Sequence, residues 1–286
     1  MKKEQKRMTI NEFRKKAINA LTEITDNGEF EADQLMQFAL GFSKNELITK
    51  RRNALSDNQL DELNAVLARR LAREPLQYIC GEWDFFGLRM FCGEGCLIPR
   101  SETEMLAEYA IKNLPKGGHF IDLCTGSGCI AVSVLNNRPD VTATAVDISE
   151  EALYYARKNA AYHAIPDNRM KFVCCDMLDF SPITIPDMIV SNPPYIKTDD
   201  IEGLSPEVLH EPVIALNGGH DGLDFYKIIA AKFGKYLNVS GEIVMEVGYD
   251  IAGEVAAVFR AKRFETELVT DLYGVERMCI AKRKKI

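Results

Sequence analysis

The chain has 286 residues, of which 47% are hydrophobic and 27% are charged, and its formal net charge is −7. These shares are ordinary for a soluble globular protein, and no run approaches the roughly 18 apolar residues of a membrane-spanning helix. The basic start, MKKEQKRMTINEFRKK, is not followed by an apolar stretch that could serve as a signal peptide. We therefore expect a cytoplasmic protein that makes no membrane contact.

The charge is unevenly distributed along the chain. Residues 1–75 hold 14 Lys and Arg against 12 Asp and Glu, whereas the remaining residues hold 21 against 30. A protein that reads duplex DNA or RNA normally carries a basic surface for the phosphates. Because the larger portion is acidic, we expect no direct contact with nucleic acid, although the total charge leaves room for a local basic patch.

The eight cysteines and four histidines do not predict a metal site. The closest cysteine pairs lack the paired C-x-x-C spacing of zinc sites; these pairs are Cys92/Cys96, Cys124/Cys129 and Cys174/Cys175. Most cysteines lie in apolar segments typical of buried free thiols, which suits a reducing cytosol.

Residues 1–75 have the periodicity of helices. Thr9 is a candidate N-cap of one helix, and Gly41 is a candidate C-cap of the next. Ser56 and Gln59 form a capping box ahead of an apolar stripe made of Leu60, Leu63, Leu67 and Leu71. These patterns predict a small N-terminal helical bundle.

The period changes over residues 76–100. The stretch EWDFFGLRMFCGEGCLIPR combines aromatic residues and glycines with the alternating Leu88, Met90 and Cys92, which predicts a β-hairpin linker between two domains. Ser101 and Glu104 form a further capping box, which predicts the start of a helix that continues through EMLAEYAIKNL.

Apolar strands alternate with helices over residues 101–286. The predicted strands are HFIDLC, TATAVDI, KFVCCDM, DMIVSN, EIVMEVG, ETELVTDL and ERMCIAKR, with helices such as CIAVSVLNN and SEEALYYARKNAAYHA between them. This alternation predicts an α/β fold with a doubly wound, mostly parallel seven-stranded sheet, which is Rossmann-like. Ligands of such sheets bind at the carboxyl ends of the strands, so we expect the functional residues there.

The first strand runs into DLCTGSGCIA. Gly126 and Gly128 lie where the strand turns into a helix, and the absence of a Cβ lets a ligand approach the backbone closely. A single G-x-G turn is weak evidence, because an ordinary tight turn gives the same pattern.

The second and third strands end in acidic residues. Asp147 follows Gly128 by 19 residues, where a carboxylate accepts hydrogen bonds from ribose hydroxyls; a helix cap is the alternative, although Ser149 is the better cap. Asp176 and Met177 offer an acid and a backbone N–H for an adenine edge, with an Asx turn as the alternative. Because the full G-x-G-x-x-G spacing and a second mononucleotide-binding half are missing, the predicted ligand is S-adenosyl-L-methionine rather than NAD.

The fourth strand runs into SNPPY. Pro193 and Pro194 fix two φ angles, supply no backbone donor and favour an extended Asn192. Asn192 Oδ1 and the Pro193 carbonyl can accept both N–H bonds of a planar nitrogen, and Tyr195 can stack on the flat group. Such acceptors orient a poor nucleophile for in-line methyl transfer.

Two classes of methyl acceptor fit these acceptor groups, and a binding protein without turnover is a third hypothesis. The chemistry of these groups fits a glutamine or asparagine side-chain amide and an adenine or guanine amino group equally well. The hypothesis of a nucleic-acid methyltransferase predicts a basic groove or a target-recognition insertion after Tyr195, and the sequence shows neither. A non-catalytic binding scaffold would have no need of convergent amide acceptors.

The chain resembles the HemK/PrmC methyltransferases along nearly its whole length. The matching pieces are REPLQYICGEWDFFGL, LIPRSETE, IDLCTGSGCIAVSV, AVDIS, SNPPYI, HEPVIALNGGHDGLDFY and LYGVERM. The resemblance implies an S-adenosyl-L-methionine-dependent enzyme, expected to be a monomer, that methylates the glutamine of the Gly-Gly-Gln motif in peptide-chain release factors. We also expect residues 1–75 to recognise the substrate protein, because a three-residue motif offers too little surface for specificity, and residues 101–286 to form the methyltransferase domain.

The resemblance assigns site residues by position. Cofactor-binding positions are Cys124, Thr125, Gly126, Ser127, Gly128, Asp147, Asp176, Met177 and Asn192. Substrate-binding positions are Asn192, Pro193, Pro194 and Tyr195, of which Asn192, Pro193 and Tyr195 are the catalytic candidates.

Cys124, Glu211 and Glu246 carry three further expectations. Cys124 stands where the family usually has glycine, and we expect the turn to survive with a negative φ and a thiol that packs rather than reacts. The segment HEPVIALNGG is expected either to close over the substrate, with Glu211 meeting the release factor, or to be a loop anchored by its own charge and proline. Glu246 is expected to be structural.

Overall fold

The computed structural model describes residues 7–238 and 240–283. The chain divides into two compact units. One comprises the described residues up to Gly81 together with Ser205–His210, and the other comprises Glu82–Leu204 and the described residues from Glu211 onward. Within the described ranges, no helix combines the length and apolar character needed to cross a membrane.

In its described residues the first unit contains five α-helices, α1 (Ile10–Leu21), α2 (Gly28–Leu40), α3 (Lys44–Thr49), α4 (Asp57–Leu71) and α5 (Leu76–Cys80). The predicted caps are confirmed: Thr9 and Ser56 each form a capping box, and Gly41 ends α2 with a left-handed φ of 63°. Helices α3 and α5 were not predicted, since both are too short for an apolar period to show.

A buried ion-pair cluster joins Ser205–His210 to the helices of this unit. Arg70, which is only 3% exposed, donates from Nε to Glu31 Oε2 at 2.7 Å, and its Nη1 lies 3.0 Å from Glu207 Oε1. Arg73 Nε lies 3.0 Å from the same Glu207 oxygen. One carboxylate therefore holds two guanidinium groups, which fixes a segment distant in sequence to α4 and the turn after it.

The second unit begins with the predicted hairpin, which is confirmed as β1 (Glu82–Phe85) paired antiparallel with β2 (Leu88–Phe91). A seven-stranded sheet follows, with the order β5-β4-β3-β6-β7-β9-β8. Its strands are β3 (His119–Leu123), β4 (Thr142–Asp147), β5 (Met170–Cys174), β6 (Met188–Ser191), β7 (Glu242–Glu246), β8 (Phe264–Thr270) and β9 (Glu276–Arg283). The first five are parallel, and β9 is antiparallel to both of its neighbours.

Helices cover both faces of this sheet: α6 (Glu104–Asn113), α7 (Cys129–Asn137), α8 (Glu150–Tyr162), α9 (Asp224–Lys232) and α10 (Ala252–Ala261). Side chains alternate across a strand, and accordingly Phe120 of β3 packs into a cluster with α6 and α7. Its neighbour Ile121 packs into a second cluster with α9 and α10. The predicted doubly wound, mostly parallel seven-stranded sheet is confirmed.

The predicted capping box at Ser101 and Glu104 is wrong. Residues Ser101–Thr103 form a 3₁₀ turn, and the Ser101 hydroxyl bonds Glu102 instead. The Glu104 carboxylate accepts the backbone N–H of Phe86 in the hairpin at 2.7 Å. The tertiary contact therefore takes the acceptor that a local capping box requires, although the predicted helix itself forms as α6.

Candidate active site

The strand order brings the predicted site residues to one edge of the sheet. Along the chain, the sheet grows from β3 to β4 and β5 on one side and then returns to β6 on the other, and ligands bind where such a sheet reverses direction. A cavity of about 290 Å³ opens there. Its wall includes Ile98, Arg100, Thr103, Cys124, Thr125, Gly126, Ser127, Asp147, Asp176, Met177, Asn192, Pro194, Pro212, Ile214 and Phe225.

The loop after β3 has the geometry of a ligand cradle. Gly126 has a φ of 56°, and a Cβ placed there would meet no protein atom within 4 Å, so this backbone borders open space. Gly128 has a φ of 73°, and a Cβ there would lie 3.0 Å from that of Ala156. Gly128 lies outside the cavity wall and permits close packing of α7 on α8. Thr125 is anchored by donating to the buried Asp122 at 2.6 Å.

The prediction of a negative φ at Cys124 is wrong, because its φ is 56°. The loop adopts a left-handed conformation at this point, which glycine takes without strain; for an L-residue it costs about 1–2 kcal/mol. Burial raises the pKa of the Cys124 thiol well above its ordinary value. The thiol is therefore protonated and unreactive, and it packs against the apolar cluster that contains Ile121.

Asp147 at the end of β4 organises the cradle. Its Oδ2 accepts the Gly126 N–H at 2.8 Å, and its Oδ1 accepts the Ser149 N–H at 2.9 Å. Burial raises its pKa, and these backbone donors partly offset the effect. Ser149 is the N-cap of α8, accepting from Ala152 N, so Asp147 is not needed as a cap. Each carboxylate oxygen keeps a further acceptor site for a ligand hydroxyl.

Asp176 and Met177 follow β5 and both line the cavity. Asp176 Oδ1 accepts the Leu178 N–H at 2.8 Å, so the Asx-turn alternative describes this side chain correctly. The Met177 carbonyl accepts from Lys232 Nζ at 2.9 Å. An Asx turn and a contact with an adenine edge are compatible at Asp176, because a carboxylate that accepts one backbone N–H still has acceptor sites left.

The Asn-Pro-Pro-Tyr segment follows β6 and is tied to two side chains that sequence reasoning did not assign to the site. Asn192 Nδ2 donates to Thr103 Oγ1 at 3.1 Å, and Thr103 Oγ1 donates to Glu246 Oε2 at 2.5 Å. Tyr195 donates from its hydroxyl to Glu246 Oε1 at 3.3 Å. Asn192 and Pro194 line the cavity, whereas Pro193 and Tyr195 lie outside its wall.

Glu246 is fully enclosed. Its residue is 2% exposed, and burial raises its pKa to about 7, against the lowering effect of its hydrogen bonds from Thr103 and Tyr195. The Tyr226 hydroxyl donates a hydrogen bond to the backbone carbonyl of Glu246 at 2.8 Å. No local sequence signal pairs Glu246 with Thr103, because 143 residues separate them.

The loop HEPVIALNGG is held against the segment Leu97–Arg100. Glu211 is 3% exposed; its carboxylate accepts the Ile98 N–H at 2.9 Å and forms an ion pair with Arg100. This matches the alternative of a loop anchored by its own charge. Pro212 and Ile214 consequently form one side of the cavity.

These features fit S-adenosyl-L-methionine. The loop after β3 leaves open space at Gly126, carboxylates follow β4 and β5, and a cavity of about 290 Å³ is near the lower end of the range for small-molecule sites, ~300–1,000 Å³. Asp147 has acceptor capacity for ribose hydroxyls, and Asp176 for an exocyclic amine.

Comparison with known proteins agrees with this chemistry. Residues 12–81 match the model of the PrmC N-terminal domain, and residues 101–219 match that of the methyltransferase small domain. A methyltransferase from Pyrococcus furiosus shares the fold, with a TM-score of 0.51 and 16% identity over 70% of this chain and 91% of that one. The chain is thus an S-adenosyl-L-methionine-dependent methyltransferase.

Two curated relatives are similar over most of their length. The release factor glutamine methyltransferase of Thermodesulfovibrio yellowstonii is 38% identical, covering 94% of this chain and 99% of its own. That of Geobacter sulfurreducens is 36% identical, covering 88% and 89%. Identity of this level over nearly the whole of both chains includes the helical unit as well as the sheet, and the chain therefore belongs to the release factor glutamine methyltransferase family.

Proposed function

We propose that this protein transfers the methyl group of S-adenosyl-L-methionine to the side-chain amide nitrogen of the glutamine in the Gly-Gly-Gln motif of a peptide-chain release factor, and so supports translation termination. The observation that carries the proposal is the rigid Asn-Pro-Pro-Tyr segment beside the cavity, in a chain whose relatives are named release factor glutamine methyltransferases. We infer further that the enzyme acts as a cytoplasmic monomer without direct contact to nucleic acid.

The cofactor is assigned to the cradle at the strand ends. Cys124, Thr125, Gly126, Ser127 and Gly128 form the loop that approaches it, Asp147 accepts from its ribose, and Asp176 and Met177 hold its adenine, with Asn192 nearby. When bound, S-adenosyl-L-methionine supplies an electrophilic methyl group on a positively charged sulfur.

The substrate amide is assigned to the residues after β6. An amide nitrogen is a poor nucleophile because its lone pair is delocalised. Asn192 Oδ1 and the Pro193 carbonyl accept its two N–H bonds, which orients the nitrogen and stabilises the positive charge that develops on it. Pro193 and Pro194 hold these acceptors rigid, and Tyr195 packs on the flat amide. No strong general base is required, since the proton becomes acidic as the new bond forms.

The helical unit is assigned to recognition of the substrate protein. A three-residue motif offers too little surface to select one protein among many. A second contact, by residues 1–75, would supply the discrimination. The residue 76–100 linker and the catalytic residues 101–286 complete the proposed organisation.

The direct test offers the enzyme labelled S-adenosyl-L-methionine with purified release factor, duplex DNA or RNA. We expect label in release factor alone. Label in DNA or RNA, with none in release factor, would establish the amino-group methyltransferase as the correct function. The control is a release factor whose motif glutamine is replaced by alanine, which should take up no label.

A further inference from the structure

The polar side chains of the Asn-Pro-Pro-Tyr segment converge on one buried carboxylate. Glu246 Oε2 accepts from Thr103, which in turn accepts from Asn192 Nδ2, and Glu246 Oε1 accepts from Tyr195. Thr103 and Glu246 are each 2% exposed. The two proposed substrate-holding side chains are therefore held by a common group beneath them.

The position of Thr103 in the fold makes its hydroxyl contacts unusual. Thr103 ends the 3₁₀ turn Ser101–Thr103 and directly precedes α6, where a threonine hydroxyl can accept from the first turn of a helix. Here it makes no capping hydrogen bond and instead bridges Glu246 and Asn192. The hydroxyl is therefore available to order the residues after β6.

The single hydrogen of the Thr103 hydroxyl determines the orientation of the Asn192 amide. A hydroxyl has one hydrogen, and Thr103 donates it to the Glu246 carboxylate at 2.5 Å. A carboxylate can only accept, so Thr103 can offer Asn192 nothing but a lone pair. Only the Nδ2 edge of Asn192 can meet that lone pair, and its Oδ1 edge is left to accept from a ligand.

We propose that Thr103 and Glu246 are positioning residues that lock the Asn192 amide with its oxygen toward the substrate nitrogen. If the amide turned over, Asn192 would present a donor to the substrate N–H bonds, and the acceptor pair with the Pro193 carbonyl would be lost. The same carboxylate holds the Tyr195 hydroxyl, so it sets both the acceptor and the stacking ring. This inference rests on the proposed function.

The test compares Thr103→Val with Thr103→Ser in steady-state methylation of release factor. Valine keeps the shape but has no lone pair, so kcat should fall by about 10- to 100-fold, while KM for release factor and affinity for S-adenosyl-L-methionine change by less than about threefold. Serine restores the lone pair, and its kcat should return to within about threefold of the unaltered enzyme. Ser133→Ala removes a buried hydroxyl of α7 and should leave kcat unchanged.

Thermal melts and cofactor titration establish that each variant is folded. If the loss of the Thr103 hydrogen bond to the buried Glu246 carboxylate unfolds Thr103→Val, the double variant Thr103→Val/Glu246→Gln removes the charge and should show the same loss of kcat. A folded valine variant with unaltered kcat, a loss confined to KM, or a serine variant as impaired as the valine one would each overturn the positioning role. Absence of label with the unaltered enzyme would instead contradict the proposed function itself.

Discussion

At the scale of single residues, the site depends on carboxylates whose pKa values burial raises. Asp147 accepts the Gly126 N–H with one oxygen and the Ser149 N–H with the other, so it shapes the cradle, and we propose that it also accepts from the cofactor ribose. Glu246 is 2% exposed, and in our proposal it acts on the substrate only through other side chains. The two should therefore respond differently to substitution and to pH.

Asp147→Asn should weaken the binding of S-adenosyl-L-methionine by about 10- to 100-fold, because hydrogen bonds to a charged acceptor contribute roughly 1.5–3 kcal/mol. Asparagine also presents N–H groups that cannot accept from the Gly126 and Ser149 amides. Isothermal titration calorimetry measures the effect, with the exposed Asp167→Asn as control. An unchanged dissociation constant would mean that the ribose is held elsewhere.

Cys124 offers a second test, because it carries a left-handed φ of 56°. Cys124→Gly should retain cofactor affinity within about threefold, since glycine adopts this conformation without strain. Cys124→Val should lower both the thermal midpoint and the affinity, since a β-branched residue is a genuine outlier at positive φ. Equal cofactor affinity and equal thermal midpoints of the two variants would show that the loop does not depend on this φ angle.

Several groups act on the pKa of Glu246. Burial raises it most, and the negative charge of Glu102 adds to this; the hydrogen bonds from Thr103 and Tyr195 and the positive charge of Arg277 lower it. The net pKa is about 7, so the carboxylate is lost as pH falls through neutrality. A protonated Glu246 can donate, and the Thr103 hydrogen is then free to turn toward Asn192.

We therefore predict that kcat falls below about pH 7 and is level above it, with roughly a tenfold loss for each pH unit well below the pKa. Thr103→Val breaks the connection to Asn192, so its lower kcat should be flat across the same range. Rate profiles from pH 5 to 9, at saturating substrates, measure both enzymes. A flat profile for the unaltered enzyme would contradict the coupling.

At the scale of elements, Glu207 is the acceptor through which Ser205–His210 joins the helical unit. Glu207→Gln should lower the free energy of unfolding of that unit by about 1.5–3 kcal/mol, because Arg70 is buried and loses a charged partner. Denaturant unfolding followed by circular dichroism measures the loss, and the exposed Glu202→Gln is the control. Equal stability of the two variants would show that Glu31 alone suffices for Arg70.

How far the sequence predicts an element depends on whether its signal is local. Helix α7 has the bounds read from CIAVSVLNN, and the capping box at Ser56 forms, because periodicity and caps are local properties. The box at Ser101 fails since Glu104 bonds the hairpin. The same holds for the candidate site. The sequence predicts the residues at the strand ends, whereas the contact of Thr103 with Glu246 arises only from the packing of β7 beside β6 and α6.

At the scale of the whole molecule, the proposed recognition by residues 1–75 makes a kinetic prediction. A short Gly-Gly-Gln peptide contains the reacting amide but lacks the remaining surface of the release factor. It should be methylated with a KM at least about 100-fold higher than that of full-length release factor, while kcat changes much less, because uniform binding is lost. Equal KM values would show that the helical unit has no part in recognition.

In the proposed reaction the methyl group reaches the amide nitrogen of one glutamine. Mass spectrometry of release factor digested after reaction with the enzyme and S-adenosyl-L-methionine locates the modified residue. We expect the added mass of a single methyl group on the glutamine of the Gly-Gly-Gln motif, and none when Asn192 is replaced by alanine. A methyl group on another residue, or an unmodified motif after complete incubation with folded, cofactor-binding enzyme, would contradict the proposed reaction.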